Sequence, residues 1–219
     1  MSSPALRLAV SLTITLLYAP TQIGAQQPIA QQSGTQQPGA RQSAPEPYPD
    51  HNAVVAFARV RDPGVVALLR HARAPGVGDP REFVIDDCDT QRQLSEEGRR
   101  QARALGEVLR RAGVREARIM SSAWCRCLDT ARLLDLGNVE VAGFLGSFFA
   151  RRDARDEASS ELRRVILSKS DTLVPTIFVT HQVNITAATG LVPAEGEMVF
   201  VRGTAAGALE VVGRAVLDR

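Results

Sequence analysis

The segment VVALLRHARAPG, Val65 to Gly76, indicates both the fold and the place where the chemistry lies. Its first part, Val65 to Arg70, is short and apolar up to its last residue, as is typical of a strand buried on both faces of a parallel sheet. The run leads directly into Arg70 and His71. We therefore predict that these two side chains stand at the carboxyl end of a central strand, where open α/β sheets bind their ligands.

Strands and helices alternate along the rest of the chain. A helix is predicted from Ser95 to Gly113, because Ser95 is a suitable N-cap, acidic residues follow it and the glycine ends the pattern. Further strands are predicted at residues 117–122, 176–180, 197–203 and 207–216, and further helices at 123–134, about 159–167 and 184–190. This alternation predicts an α/β fold, a three-layer α/β/α sandwich with a mostly parallel central sheet.

The first 50 residues are predicted to lie outside this fold. Residues 1–25 carry one cation, Arg7, and an apolar run that is shorter than the roughly 20 residues needed to cross a bilayer. We interpret them as a secretory signal peptide, with a retained N-terminal anchor as the alternative. Residues 26–50 are rich in Gln and Pro and are predicted to form a disordered tether, which leaves 51–219 as one domain.

The composition argues against two classes of partner. The chain is 44% hydrophobic and 23% charged, with a net charge of +2, and its arginines are interspersed with acidic residues. No basic stripe with interleaved aromatic residues occurs, so no nucleic-acid partner is predicted. No stable membrane span is expected once the signal peptide is removed.

The three cysteines are Cys88, Cys125 and Cys127. Export makes a disulfide the expected state. Because Cys125 and Cys127 lie two residues apart in a predicted helix, they face away from each other, and Cys88 is expected to pair with one of them. The sequence leaves open which one. The other metal-competent residues are not at ligand spacing, so neither a metal nor a cofactor is predicted.

Four polar side chains are predicted to gather at one edge of the sheet. Arg70 and His71 follow the first strand, Arg126 stands near the start of a helix, and His181 follows the apolar strand TIFVT. The segment SSAWCRCLDTA sets Arg126 between a Ser-Ser and a Thr-Ala pair, and DTQRQLSEEG lies between the first two sites. In order and type these motifs resemble the histidine phosphatase superfamily, whose members include acid phosphatases and phosphoglycerate mutases. The resemblance implies a phosphoglycerate mutase-like fold.

The resemblance also implies roles for the four residues. His71, matching the histidine of the family's Arg-His-Gly motif, would attack phosphorus and form a phosphohistidine that water hydrolyses. Arg70 and Arg126 would bind the phosphoryl oxygens, since a guanidinium contacts them in bidentate fashion and keeps its charge. His181 would supply a further donor. Phosphoryl transfer needs such fixed positive groups because negative charge is spread over the equatorial oxygens.

The sequence departs from the family pattern at two points. Ala72 replaces the usual glycine, a small change if the backbone there has a negative φ. The general acid is also missing from both places where the family pattern carries it. Gln182 follows the second histidine, and VAGFLGSFFA, after the second arginine, contains no carboxylate. Asp79 is the first candidate for that acid, because its loop is expected to fold over the site. The other candidates are Asp87, Asp89 and Glu197, and Gln182 and Asn184 are expected to orient His181, bind substrate or, for Asn184, cap the short helix.

The leading hypothesis is an exported, metal-independent phosphomonoesterase that acts on a small phosphorylated substrate. The segments DDCDTQR, SSAWCRC and THQVNI are similar to a bacterial periplasmic subgroup that includes lipopolysaccharide core heptose phosphate phosphatases. That similarity implies a periplasmic location and a phosphorylated sugar of the cell envelope. The alternatives are a phosphomutase and a non-catalytic module that binds phosphate or sugar phosphates.

Overall fold

The computed structural model describes residues 51–169 and 173–217. The predicted signal peptide and tether lie outside the described residues. Within the described residues, six strands form one sheet: β1 (Val65–Arg70), β2 (Arg118–Ser121), β3 (Val139–Val141), β4 (Thr176–Thr180), β5 (Met198–Gly203) and β6 (Leu209–Ala215). Their order is β3-β2-β4-β1-β5-β6. The first four are parallel neighbours, whereas β5 runs antiparallel to both β1 and β6, so the predicted mostly parallel sheet is confirmed.

In the described part of the chain, five α-helices accompany the sheet: α1 (His51–Phe57), α2 (Glu96–Arg111), α3 (Cys125–Leu133), α4 (Arg155–Leu167) and α5 (Gln182–Thr189). Two of them begin earlier than predicted, α4 at Arg155 and α5 at Gln182. The acidic residues of the α4 first turn, Asp156 and Glu157, favour the earlier start because they face the positive end of the helix. The short helix α1 was not predicted from the sequence.

The helices cover both faces of the sheet, as predicted. Successive residues of β1 point to opposite faces, and its first five residues are buried. Val65, Ala67 and Leu69 pack with residues of α1, α2 and α3, and Val66 and Leu68 pack with residues of α4 and α5. The first strand is therefore a rigid central element, and its carboxyl end lies between two layers of helices.

The start of α2 is packed against the loop that follows His71. Ser95 caps the helix, since its hydroxyl oxygen accepts a hydrogen bond from Gly98 N–H at 3.1 Å. A Cβ atom at Gly98 would lie 2.1 Å from the carbonyl oxygen of Arg73. Only glycine allows so close an approach, and the helix thus fixes the path of the chain directly after the first two site residues.

Candidate active site

The four predicted residues line one cavity of about 300 Å³. Since β1 and β4 are adjacent and parallel, with Arg70 opposite Thr180, the residues that follow them are neighbours. The ring centroids of His71 and His181 are 5.6 Å apart in an edge-on arrangement. Arg126, the second residue of α3, reaches the same cavity from the helix beside them.

The neutral ring of His71 is held in one tautomer by its backbone neighbour. Its Nδ1 lies 2.8 Å from the carbonyl oxygen of Ala72. A carbonyl only accepts, so Nδ1 carries the proton and Nε2 keeps its lone pair. Burial, opposed by the Ala72 carbonyl and aided by the charges of Arg126 and Arg70, lowers the pKa of His71 to about 3. The ring is therefore neutral near pH 7, as a nitrogen nucleophile must be.

The turn after His71 is tied to α3 and to β4. His71 N–H donates to the Thr180 carbonyl at 3.0 Å, and Ala72 N–H donates to the hydroxyl of Thr130 at 3.0 Å. Thr130, which belongs to the Thr-Ala pair of the motif, in turn donates to the Arg126 carbonyl at 2.7 Å. Among the described non-glycine residues only Asp135 has a positive φ, so Ala72 fits the backbone of the usual glycine without strain.

Both arginines have buried donors to spare. Arg70 donates through Nη1 to the Pro193 carbonyl at 2.9 Å, and its Nη2 lies 3.7 Å from the Glu195 carboxylate. The Nε groups of Arg70 and Arg126 are buried, and neither has a hydrogen-bond partner among the described residues. A buried donor left unsatisfied is costly. The oxygens of a bound phosphoryl group would satisfy such donors.

Asp79 lies in the cavity and forms an ion pair with Arg126. The two contacts are 2.7 Å (Nη1 to Oδ1) and 3.1 Å (Nη2 to Oδ2). The Arg126 side chain is 3% exposed and that of Asp79 is 9% exposed. Asp79 also accepts hydrogen bonds from Trp124 Nε1 at 3.1 Å and from Arg92 N–H at 3.2 Å. Burial alone would raise the pKa of Asp79, but Arg126 and these two donors hold it below its ordinary value.

His181 is oriented by Ser122 and Arg126. Arg126 Nη2 lies 3.4 Å from His181 Nδ1, and an arginine only donates, so Nδ1 is the acceptor. His181 Nε2 therefore carries the proton and donates to the Ser122 hydroxyl at 2.8 Å. Burial and the charge of Arg126 lower the pKa of His181 well below its ordinary value. His181 can donate from Nδ1 to a phosphoryl oxygen only after that nitrogen gains a proton.

A disulfide joins the loop over the cavity to the helix of Arg126. The structure pairs Cys88 with Cys125, the first residue of α3, and leaves Cys127 as a buried thiol. Burial raises the pKa of Cys127 to about 12, and its sulfur lies 3.5 Å from His181 Nε2. Gln91 adds a second connection, since its side-chain oxygen accepts a hydrogen bond from Cys125 N–H at 3.0 Å.

The remaining acid candidates lie elsewhere. The Asp87 carboxylate accepts a hydrogen bond from Asp89 N–H at 3.1 Å, which stabilises a turn, and neither residue lines the cavity. The Glu197 carboxylate is buried against Arg214 and accepts from Ala194 N–H at 2.7 Å. Among the described residues, Asp79 is the only carboxylate that lines this cavity.

The polar residues Gln182 and Asn184, which follow His181, have different surroundings. Gln182 lines the cavity. Asn184 does not cap α5, because the helix begins at Gln182 and His181 occupies the N-cap position. The amide of Asn184 instead donates to the carbonyls of Gly146 at 2.9 Å and Phe144 at 3.4 Å, so it holds a neighbouring turn.

Three side chains of the site were not predicted from the sequence. Arg92 donates from Nε to the Gly78 carbonyl at 2.8 Å and also bonds the Ala74 carbonyl, and so shapes the loop that carries Asp79. Ser122 is hydrogen-bonded to His181, and Trp124 is hydrogen-bonded to Asp79. Arg92 lies inside DTQRQLSEEG and the other two inside SSAWCRCLDTA, so the motifs marked these positions without indicating their contacts.

Within residues 51–169 and 173–217, no three His, Cys, Asp or Glu side chains are grouped so that they could hold a metal ion. In the same part of the chain, no helix has the length and apolar character needed to span a membrane.

Comparison with known proteins shows a resemblance to one superfamily. The sequence profile of the histidine phosphatase superfamily (branch 1) matches residues 66–142, whereas no curated protein sequence matches the chain. The fold resembles that of open reading frame Rv3214 from Mycobacterium tuberculosis, at 16% identity and a TM-score of 0.52 over 72% of this chain and 99% of that one. A protein described as mycobacterial hydrolase 1 gives 20% identity and a TM-score of 0.51, over 69% of this chain and 98% of that one.

A phosphoserine phosphatase from Entamoeba histolytica, in complex with 3-phosphoglyceric acid, gives 13% identity and a TM-score of 0.50, with 70% and 98% of the two chains covered. At such identities, structural similarity establishes the fold alone. The fold and the cavity define an α/β protein whose central parallel strands end at two arginines and two histidines. The profile match spans the first of these motifs and Arg126, so this part of the chain resembles the histidine phosphatase superfamily.

Proposed function

We propose that this protein is a phosphomonoesterase that works through a phosphohistidine at Nε2 of His71. The observation that carries the proposal is the hydrogen bond from His71 Nδ1 to the Ala72 carbonyl. It leaves the lone pair of the other ring nitrogen available, in a cavity shared with Arg70, Arg126 and His181. A neutral, oriented imidazole beside fixed positive charge suits nucleophilic attack on a phosphate ester.

The first step exchanges one bond at phosphorus for another. His71 Nε2 forms a bond to phosphorus as the bond from phosphorus to the ester oxygen breaks, and the departing alcohol takes up a proton. Arg70 and Arg126 neutralise charge on the equatorial oxygens throughout. The ring that gains the phosphoryl group becomes cationic, and its Nδ1–H remains on the Ala72 carbonyl, which stabilises that charge.

Asp79 is the proposed general acid. An incoming phosphoryl group needs the same N–H donors of Arg126 that Asp79 occupies, so it displaces the carboxylate. Without Arg126 as partner and beside a phosphate dianion, the pKa of Asp79 rises, which favours the protonated form that can donate to the alcohol. In the second step the Asp79 carboxylate takes a proton from water, and the water oxygen replaces Nε2 on phosphorus.

The proposal extends to three finer points. Phosphate charge is balanced by arginines, so we propose that turnover needs no metal. The Cys88–Cys125 disulfide supports export to an oxidising compartment, in line with the predicted signal peptide and a periplasmic location. The similarity of the motifs to heptose phosphate phosphatases makes an envelope sugar phosphate one candidate substrate.

The test uses protein purified from cells that express the full-length chain. We expect hydrolysis of an aryl phosphate in the presence of a chelator, and a radiolabelled phosphohistidine after quenching without acid. His71→Ala should abolish both, while Asp89→Asn, on the same loop as Asp79 but outside the cavity, should retain both. Tight phosphate binding without label or turnover would instead indicate the non-catalytic module.

A further inference from the structure

The cavity changes character between its base and its mouth. At the base, His71, Arg126 and His181 are 2%, 2% and 3% exposed. At the mouth, Val77 is 87% exposed and Phe149 is 50% exposed. Two large apolar side chains are thus exposed at the mouth, beside the exposed Arg81, although a solvent-facing edge is normally the polar part of a site.

The apolar mouth is formed where two loops meet. A Cβ atom at Gly78 would lie 3.5 Å from Cε1 of Phe149, so the loop after β1 lies beside the loop before α4. Val77 on the first loop and Phe149 on the second both line the cavity. Exposed apolar side chains gathered at the edge of a site, in place of scattered single ones, mark a surface that an apolar group covers.

Aromatic rings continue this surface down to the reacting histidines. The ring centroids of Phe83 and Trp124 are 5.8 Å apart, and those of Trp124 and His181 are 5.3 Å apart. The indole N–H of Trp124 is already bonded to Asp79. Trp124 therefore offers carbon faces to the cavity, where a sugar would need donors and acceptors for its hydroxyl groups.

We infer that the leaving group of the substrate is an apolar alcohol, an alkyl or aryl chain that packs on Val77, Phe83, Trp124 and Phe149 while its phosphate binds at the base. This inference rests on the proposed phosphomonoesterase function and specifies its substrate class. It favours apolar phosphate esters over the sugar phosphates that the sequence motifs suggest. A bound chain would cover the two exposed side chains and remove them from water.

The test measures kcat/KM for n-alkyl phosphates from ethyl to octyl, below their micelle concentrations, together with glucose 6-phosphate and glycerol 3-phosphate. We expect kcat/KM to rise by up to about fourfold per added methylene while the chain stays in contact with the mouth. Val77→Ser and Phe149→Ser should each lower the octyl-to-ethyl ratio, by roughly tenfold for Phe149. Using the ratio cancels any loss of folded protein.

Val192→Ser is the matched control, because Val192 is 62% exposed but does not line the cavity. It should leave the ratio and the activity unchanged. A flat response to chain length, or faster turnover of the sugar phosphates, would overturn the apolar leaving group and leave the phosphatase intact. Failure to hydrolyse any ester, with no labelled phosphohistidine, would overturn the proposed function and this inference with it.

Discussion

Asp79 has two proposed roles, and a single substitution should change phosphate binding and turnover in opposite directions. It occupies the N–H donors of Arg126 that a phosphate needs, and it is the proposed acid for the departing alcohol. Asp79→Asn keeps the size of the side chain and one acceptor oxygen but removes the charge. The variant should therefore bind phosphate more tightly and yet turn over alkyl esters more slowly, a combination that damage to the fold would not produce.

The contacts set the expected magnitudes. Hydrogen bonds to charged groups contribute roughly 1.5–3 kcal/mol each, and the amide keeps one of the two to Arg126. Removing about 1.5 kcal/mol of competition should tighten inorganic phosphate binding by about tenfold. Loss of general acid catalysis should lower kcat for an alkyl phosphate by about 10²–10⁴-fold. For an activated ester such as 2,4-dinitrophenyl phosphate, whose leaving group needs no proton, the burst of phenol that accompanies phosphohistidine formation should change in rate by less than about threefold.

Phosphate affinity is measured by calorimetry and turnover by phosphate release, with Asp89→Asn as the control. Because Arg126 loses its charged partner in a buried site, the Asp79→Asn protein should also unfold more easily, by about 3–5 kcal/mol, and phosphate should restore much of this. Equal losses in the rate of phosphohistidine formation from the alkyl and the activated ester would show that Asp79 is not the acid. Unchanged phosphate affinity would refute the competition for Arg126.

Three further predictions concern stability and are checked by urea unfolding. Cys88→Ser should lower the free energy of unfolding by roughly 2–4 kcal/mol, since the bridge closes a loop with a sequence separation of 37, and reduction of the wild type should have a similar effect. Because the pKa of His71 falls to about 3 on folding, its contribution to stability is complete above about pH 6.5 and is lost as the pH falls towards 3. His71→Asn should reduce this pH dependence by up to about 1.4 kcal/mol per pH unit; an unchanged slope would contradict the buried neutral ring. Gly98→Ala should destabilise the protein because the added Cβ would lie 2.1 Å from the Arg73 carbonyl oxygen. Gly143→Ala should cause no steric clash, because nothing lies within 4 Å of a Cβ atom at that position.

The sequence predicted the parts of the fold that depend on regular patterns. The apolar runs of β1 and β4 predicted buried strands, and parallel pairing of those strands brings His71 beside His181. A period of two or of 3.6 residues appears directly in the order of side chains, so such elements can be identified without coordinates. The starts of α4 and α5 were less accurately predicted, because neither helix has a side-chain cap at its N-terminus that would mark the position in the sequence.

The loop over the cavity could not be predicted in the same way. Its path depends on single contacts, such as those from Arg92 to the Gly78 carbonyl and from Cys125 N–H to the Gln91 side-chain oxygen, which have no period in the sequence. For the same reason the sequence predicted a disulfide from Cys88 but left its partner open between Cys125 and Cys127. Only the position of the loop relative to the first turn of α3 decides that Cys125 is within reach.

Trp124 connects the chemistry at the base of the cavity with selectivity at its mouth. Its N–H bonds the carboxylate of Asp79, and its ring packs between Phe83 and His181. A leaving group that packs on this ring must therefore lie beside the carboxyl group that is to protonate it. Short esters cannot gain the same contact, so their alcohol is less firmly placed for proton transfer. The apolar mouth should accordingly raise kcat as well as lower KM, because packing on the indole orients the ester oxygen towards Asp79.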